Sequence, residues 1–283
     1  MNKVLIAFAV TLVIAWFGCT KYAPAPEAFF IQPSYVNVAV TTPSIQGSAS
    51  HKITDLFLYV DGKFQGVYPC TGKLPIVTKG KNVNIDLFAG IKNNGISETL
   101  ITWLLYDKIE FDTLAPSGTT LNRGITFKYN PNVKFMWVED FDGFGVSLIK
   151  SSITAASTSL NLISSGDSFE GKSAMFELTS GIPVAKFESS IFYNIPRANA
   201  NVYLELNYKC DLELEVGVTD GVKEKSCITV NPKSEWNKIY IQLADAVNRE
   251  PLSDQYKIYF KANNPNQLNN ARVWLDNIKM IYL

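Results

Sequence analysis

Apolar and polar residues alternate with period two through most of the chain, and that period predicts β-strands. The alternation is cleanest over residues 202–210. There Val202, Leu204, Leu206, Tyr208 and Cys210 share one face, while Tyr203, Glu205, Asn207 and Lys209 share the other. It continues over 212–218, turns at Asp220 and Gly221, and recurs at 236–243, 256–262 and 272–282. In the first half, an apolar run over 55–60 meets Asp61 and Gly62 and returns over 63–68. Such a pair of residues suits a type I′ hairpin because both tolerate positive φ. A second strand pair is predicted around Lys79 and Gly80. Residues 74–78 lead in and 82–89 lead out, with Val83, Ile85 and Leu87 on one face. Asn93, Asn94 and Gly95 close another turn, and 97–106 and 124–129 supply later strands.

The period is absent at the start. Lys3 is followed by an uncharged, mostly apolar run over 4–18 that ends in Trp16, Phe17 and Gly18 just before Cys19. A basic residue, a short apolar stretch and a small residue before the cut describe an export signal over 1–18. The run is shorter than the ~20 residues of a spanning helix. Gly18-Cys19 resembles a bacterial lipobox, in which the cysteine receives a diacylglycerol. Trp16 and Phe17 depart from the usual aliphatic and small residues, a looseness similar to that of Bacteroidetes-type lipoproteins. The implied address is the cell envelope, as an outer-membrane lipoprotein on the periplasmic or outer surface. Residues 19–29, with Pro24 and Pro26, then form the lipidated cysteine and a polar tether.

Asn130, Pro131 and Asn132 mark a boundary between two all-β domains, 30–132 and 133–283. The stretch LYVDGKFQGVYPCTGKLPIVTKGKNVNIDLFAGIK resembles small envelope sandwiches of the PEGA or carboxypeptidase-regulatory, Ig-like type. That likeness implies a non-catalytic spacer or contact surface. In the second domain the segments VEDFDGFG, LELNYKC, EWNKIYIQL, YKIYFKA and VWLDNIKM resemble, in that order, the galactose-binding-like jelly roll of carbohydrate-binding modules. The expected fold class is therefore all-β, two β-sandwiches with the second a jelly roll.

Charge and composition narrow the chemistry. Basic and acidic residues number 26 each, so no basic field exists to attract nucleic acid. The single histidine, His51, lies in a polar segment with no Gly-x-Ser-x-Gly elbow nearby, and a solvated or turn-stabilising role is expected. Cys70, Cys210 and Cys227 match no metal spacing. Cys210 and Cys227 fall on neighbouring predicted strands, leaving open a disulfide or two buried thiols. The densest carboxylates are Glu139, Asp140 and Asp142. They lie in one short segment rather than on opposed elements, so an enzyme, a glycosidase included, is not expected.

No cofactor is required. The jelly-roll resemblance implies a structural Ca²⁺ where the first and last strands meet, and Glu139, Asp140, Asp142 and Asp276 are its candidate ligands. Sugar recognition would use aromatic platforms with amides and charges gripping hydroxyls. The candidate ligand surface is the less apolar strand face, with Tyr203, Glu205, Asn207, Lys209, Tyr240, Gln242, Lys257 and Tyr259; an ordinary solvated sheet face is the alternative. Trp236 and Trp274 are expected to pack. The expected function is non-catalytic binding of a glycan or another extracellular ligand by the second domain of a lipid-anchored protein. The alternative is a structural or adhesion subunit that binds a protein of an envelope complex.

Overall fold

The period-two pattern becomes strands throughout. The structure, a computed structural model, describes residues 28–78, 80–164, 166–197, 201–249, 251 and 253–283. The export signal, Cys19 and most of the tether lie outside the described residues. Among the described residues no helix is long and apolar enough to cross a membrane.

The first half supplies β1 (Ala28–Ala39), a single helical turn α1 (Pro43–Gln46), β2 (Asp55–Val60), β3 (Lys63–Pro69), β4 (Leu74–Val77), β5 (Val83–Lys92), β6 (Leu100–Thr102), β7 (Ile109–Thr113) and β8 (Thr120–Lys128). One sheet has the order β4-β1-β8, with β1 and β8 parallel. The other has the order β3-β2-β5-β6, and β7 shares the β6 edge of the long β5. The two sheets enclose a core that includes Phe29, Ile31, Leu58, Ile76, Leu87 and Phe127. The β2–β3 hairpin turns at Asp61 (φ 48°) and Gly62 (φ 72°), the positive pair a type I′ turn requires.

The expected hairpin around Lys79 and Gly80 is corrected. β4 pairs with β1 and β5 pairs with β2, so the two strands belong to opposite sheets. Both offer an apolar face to the same core, and alternation alone cannot distinguish a hairpin from a connection that crosses between sheets. β7 was not anticipated, although its residues alternate.

The second half supplies β9 (Lys134–Glu139), β10 (Leu148–Lys150), β11 (Asn161–Ile163), β12 (Ser173–Leu178), β13 (Val184–Ser189), β14 (Val202–Cys210), β15 (Leu214–Thr219), β16 (Glu224–Val230), β17 (Lys233–Gln242), α2 (Ala244–Asn248), β18 (Lys257–Asn263) and β19 (Ala271–Tyr282). A six-stranded sheet runs β11-β12-β19-β14-β17, with β9 beside the far half of β19. A five-stranded sheet runs β10-β13-β18-β15-β16. They pack face to face as a jelly-roll sandwich over Phe176, Phe187, Leu206, Val216, Phe260 and Leu275. The chain is all-β in both halves, as the alternation implied.

Cys210 lies on β14 and Cys227 on β16, in opposite sheets, and Cys70, Cys210 and Cys227 are free thiols. Burial pushes the Cys227 thiol up to about 12, helped by Asp245 and opposed by Lys225.

The outer face of the six-stranded sheet is covered by the first sandwich. Trp103 wedges between Tyr203 and Tyr240, with ring centroids 4.6 and 4.7 Å away. Beyond the β5 end, Asn93 forms a parallel bridge to Tyr240, and Asn94 N–H donates to the Tyr240 carbonyl at 2.9 Å. The first sandwich thus extends the β17 edge, which would otherwise present unpaired backbone groups.

Candidate functional site

The strand alternation that names the expected ligand face also puts Tyr203, Glu205, Asn207, Tyr240 and Gln242 together. β14 and β17 pair antiparallel, opposing Tyr203 to Gln242 and Glu205 to Tyr240. The face is not open, however. Glu205 is 0% exposed, Tyr240 1%, Asn207 2% and Tyr203 4%. Tyr129 of the first sandwich donates its hydroxyl to Glu205 at 3.0 Å, Ser50 donates to the Asn207 amide oxygen at 3.0 Å, and Tyr240 OH accepts the Lys52 N–H at 2.8 Å. Lys209 lies farther along β14, paired to Asp167 at 3.2 Å and 4.3 Å above the Trp274 ring. Lys257 and Tyr259 sit on β18, in the opposite sheet. The expected single surface of eight residues is therefore corrected. Alternation identifies which side chains share one strand face, but neither the neighbouring strand nor what covers that face.

The buried cluster is electrostatically tight. Lys238 pairs with Glu205 at 2.8 Å, and Lys279 donates to Tyr129 OH at 3.1 Å and to the Ser48 carbonyl. Burial works to raise the Glu205 carboxyl, but the charges of Lys238 and Lys279 outweigh it and hold the group below the usual range. Burial depresses the Lys279 ammonium to about 8, Glu205 opposing and Lys238 reinforcing the shift. His51 sits half-buried beside this cluster, its Nδ1 accepting the Ile53 N–H at 3.4 Å.

The four carboxylates proposed for Ca²⁺ do not converge. Glu139 accepts from Phe141 N–H at 2.9 Å and from the Ser147 N–H and hydroxyl at 2.6 and 2.5 Å. Asp140 accepts from Asp142 N–H at 3.2 Å, and Asp142 from Lys172 N–H at 2.8 Å. Asp276 accepts from Ser173 at 2.7 Å, Glu170 N–H at 3.2 Å and its neighbour Asn277 N–H at 2.7 Å. Among the described residues no group of three or more His, Cys, Asp or Glu side chains is placed to hold a metal ion. The correction has a physical cause: each carboxylate is already taken up by N–H or hydroxyl donors, those of Glu139 and Asp140 within their own segment and those of Asp142 and Asp276 from the segment around 170–173. Burial pushes the Asp276 carboxyl up to about 6 against those bonds.

The other outer face, on the five-stranded sheet, is open at its rim. Tyr259 lies across Gly217, where an added Cβ would come 2.6 Å from the ring, and its hydroxyl donates to Glu215 at 2.5 Å. Lys186, Lys257 and Lys261 pair with Glu188, Glu215 and Glu224, within β13 for Lys186–Glu188 and across strands for the rest, in a lattice of pairs between 2.8 and 3.5 Å.

Beyond Glu215 this face ends in a cleft of about 440 Å³, lined by the β14–β15 turn, the end of β16 and the loop after β18. Asn264 makes that loop stiff. Its side chain donates to Thr179 and Leu268 carbonyls at 3.1 and 2.9 Å and accepts Leu268 N–H at 2.8 Å. Gln267 and Asn270 take positive φ, of 50° and 58°. The stapled loop presents Asn263 and Asn266 opposite Glu213 and Thr229, all four exposed, with Leu212, Pro232, Pro265 and Leu268 among the lining side chains. Hydrogen-bonding groups around apolar patches match the amphipathic surface of a sugar ring. The sequence signal for this cleft is the amide-rich run over 263–270, which has no periodicity and therefore escapes a search for strands.

No family model matches the chain, and no curated protein matches it. Among solved structures, a family 29 carbohydrate-binding module aligns at 11% identity and a TM-score of 0.33, over 53% of this chain and 89% of that one. The family 11 module of the cellulosomal cellulase Lic26A-Cel5E of Clostridium thermocellum aligns at 14% and 0.35, over 53% and 94%. The module TmCBM61, solved with β-1,4-galactotriose, aligns at 16% and 0.31, over 47% and 85%.

Proposed function

We propose that this chain is a non-catalytic cell-envelope protein, anchored through a lipid on Cys19, whose second sandwich binds a glycan in the cleft at the end of the five-stranded sheet. The observation that supports it is the Asn264-stapled loop, which holds Asn263 and Asn266 across from Glu213 and Thr229 among proline and leucine side chains. A loop backbone already held in place loses little entropy when its amides grip hydroxyls, and the apolar patches accept the C–H face of a pyranose. The test is affinity-gel retardation of the intact chain across plant, host and bacterial polysaccharides. At least one should retard it, and the double variant Asn263→Ala/Asn266→Ala should lose that retardation. Free migration in every gel would refute the reading. Mass spectrometry of the mature N-terminus tests the anchor, with a diacylated Cys19 as the expected first residue.

A second reading, an adhesion or assembly subunit, is favoured by one specific observation. Phe144, Ile191, Phe192 and Val222 are exposed together at the other end of the same sheet. Gly221 approaches Phe192, and Ser190 N–H bonds the Ser147 carbonyl at 2.8 Å, which draws those loops together. Apolar tips of this kind suit a protein partner. Serine at Phe192 and Val222 would then abolish capture of an envelope complex while leaving glycan retardation intact.

A further inference from the structure

Between the two sandwiches runs a second cleft, of about 310 Å³, that the proposed glycan site does not use. Lys52 of the first sandwich and Lys233 of the second both line it, and none of the described residues that line it is a carboxylate. Among the described residues neither lysine forms an ion pair. Two further polar groups of the lining, on Tyr208 and Asn94, keep a donor for the cleft. Tyr208 OH accepts from Asn237 at 3.0 Å, which leaves its own proton to give. The Asn94 amide oxygen is occupied by Gln242 N–H at 2.8 Å, which leaves its NH₂ free for the cleft. The Lys52 ammonium itself bonds the Asn237 oxygen and is held in place. Burial lowers the Lys52 ammonium, and the facing charge of Lys233 lowers it further.

We infer that this cleft is an oxyanion-binding site that takes the carboxylate or sulfate of an acidic glycan. Two uncompensated ammonium groups in one cleft repel each other, and a single oxyanion relieves both while accepting from the tyrosine and the amides. Thr229 lines both this cleft and the one beyond Glu215. One saccharide laid over the β16 edge therefore reaches both. The choice of a glycan as the carrier of the anion rests on the function proposed above.

Isothermal titration of the intact chain tests it with four probes: inorganic sulfate, dextran sulfate, oligogalacturonate and the fully methyl-esterified, neutral form of the last. The expected result is binding of sulfate, and of at least one acidic polymer roughly fivefold or more tighter than the neutral form, since a partly exposed charge pair is worth up to about a factor of five and two such pairs act together here. In Lys52→Gln/Lys233→Gln that excess disappears and sulfate no longer binds. Both lysines are exposed, so the variant should melt as the parent does. A preference for acid that survives in the double variant overturns the inference, as does equal binding of the acidic and neutral forms or silence toward sulfate and both acidic polymers. Neutral binding without the acidic preference sinks the oxyanion site and leaves the glycan reading standing. Sulfate binding that depends on both lysines, without any binding of a polymer, does the reverse.

Discussion

The second sandwich has two outer faces built from the same materials, tyrosine, lysine and glutamate, and they meet opposite fates. On the six-stranded sheet, Tyr203, Glu205, Lys238, Tyr240 and Lys279 are sealed beneath the first sandwich. A single carboxylate there answers two ammonium groups. On the five-stranded sheet, Lys186, Lys257 and Lys261 meet Glu188, Glu215 and Glu224 in a lattice at the solvent boundary. The comparison teaches that residue type does not determine energetic weight; the surrounding dielectric does. A charge pair buried without water loses several kcal/mol when one partner is removed, whereas a partly exposed pair is worth roughly 0 to 1 kcal/mol. The sealed face joins the two sandwiches, and the open one leads to a cleft.

The contrast breaks first at Glu205. Glu205→Gln leaves buried Lys238 without its paired carboxylate and buried Lys279 with only the weaker attraction of Glu170, and chemical denaturation should register a loss of about 3 to 5 kcal/mol. The pH signature follows from the lowered carboxyl. Its stabilisation is complete above the ordinary glutamate value and is lost as pH falls through the lower folded value, so stability rises with pH in that acid window. The variant should lack this part of the acid limb. A variant within 1 kcal/mol of the parent, with an unchanged acid limb, would erase the distinction between the two faces.

Lys279 sharpens the same contrast with the opposite sign. Its folded value of about 8 lies below the ordinary 10.5, so between these values the unfolded chain binds more protons. The penalty for burying the charge is complete below about pH 8 and is relieved as pH rises toward 10.5. Stability should climb there by up to about 1.4 kcal/mol per pH unit. Denaturation midpoints of Lys279→Met between pH 8 and 10 should not show that climb; an identical climb in the variant would contradict the assignment. The smallest effect belongs to the open face. Lys261→Gln should cost less than about 1 kcal/mol, and the cost should shrink further at high salt. A loss as large as that of Glu205→Gln would mean the lattice is no ordinary surface network.

Much of the fold was legible because its signal is local. The strand read at 202–210 is β14 to the residue, and the faces named there are the faces observed: Val202, Leu204, Leu206, Tyr208 and Cys210 enter the jelly-roll core. The Asp61–Gly62 turn was legible for the same reason, since the φ values it needs belong to those two residues. Pairing was less legible. β4 and β5 looked like a hairpin because partner choice depends on which sheet closes the core. The candidate site was the least legible part. Five of the eight expected ligand residues form an inter-sandwich contact, and Lys257 and Tyr259 lie on the far sheet. The cleft residues Glu213, Thr229, Asn263 and Asn266 come from three separated segments.

By itself, then, the order of residues along this chain determined the all-β class, the inward face of individual strands and the tight turns. Each of these depends on the stereochemistry of neighbouring residues and on the period of the pleat. Only the tertiary structure decided that Glu205 and Tyr240 would be buried while Asn263 and Asn266 stayed open. Exposure depends on what docks against a surface, and here the first sandwich, with Trp103, Tyr129 and Asn94, arrives from a hundred or so residues away to exclude the water.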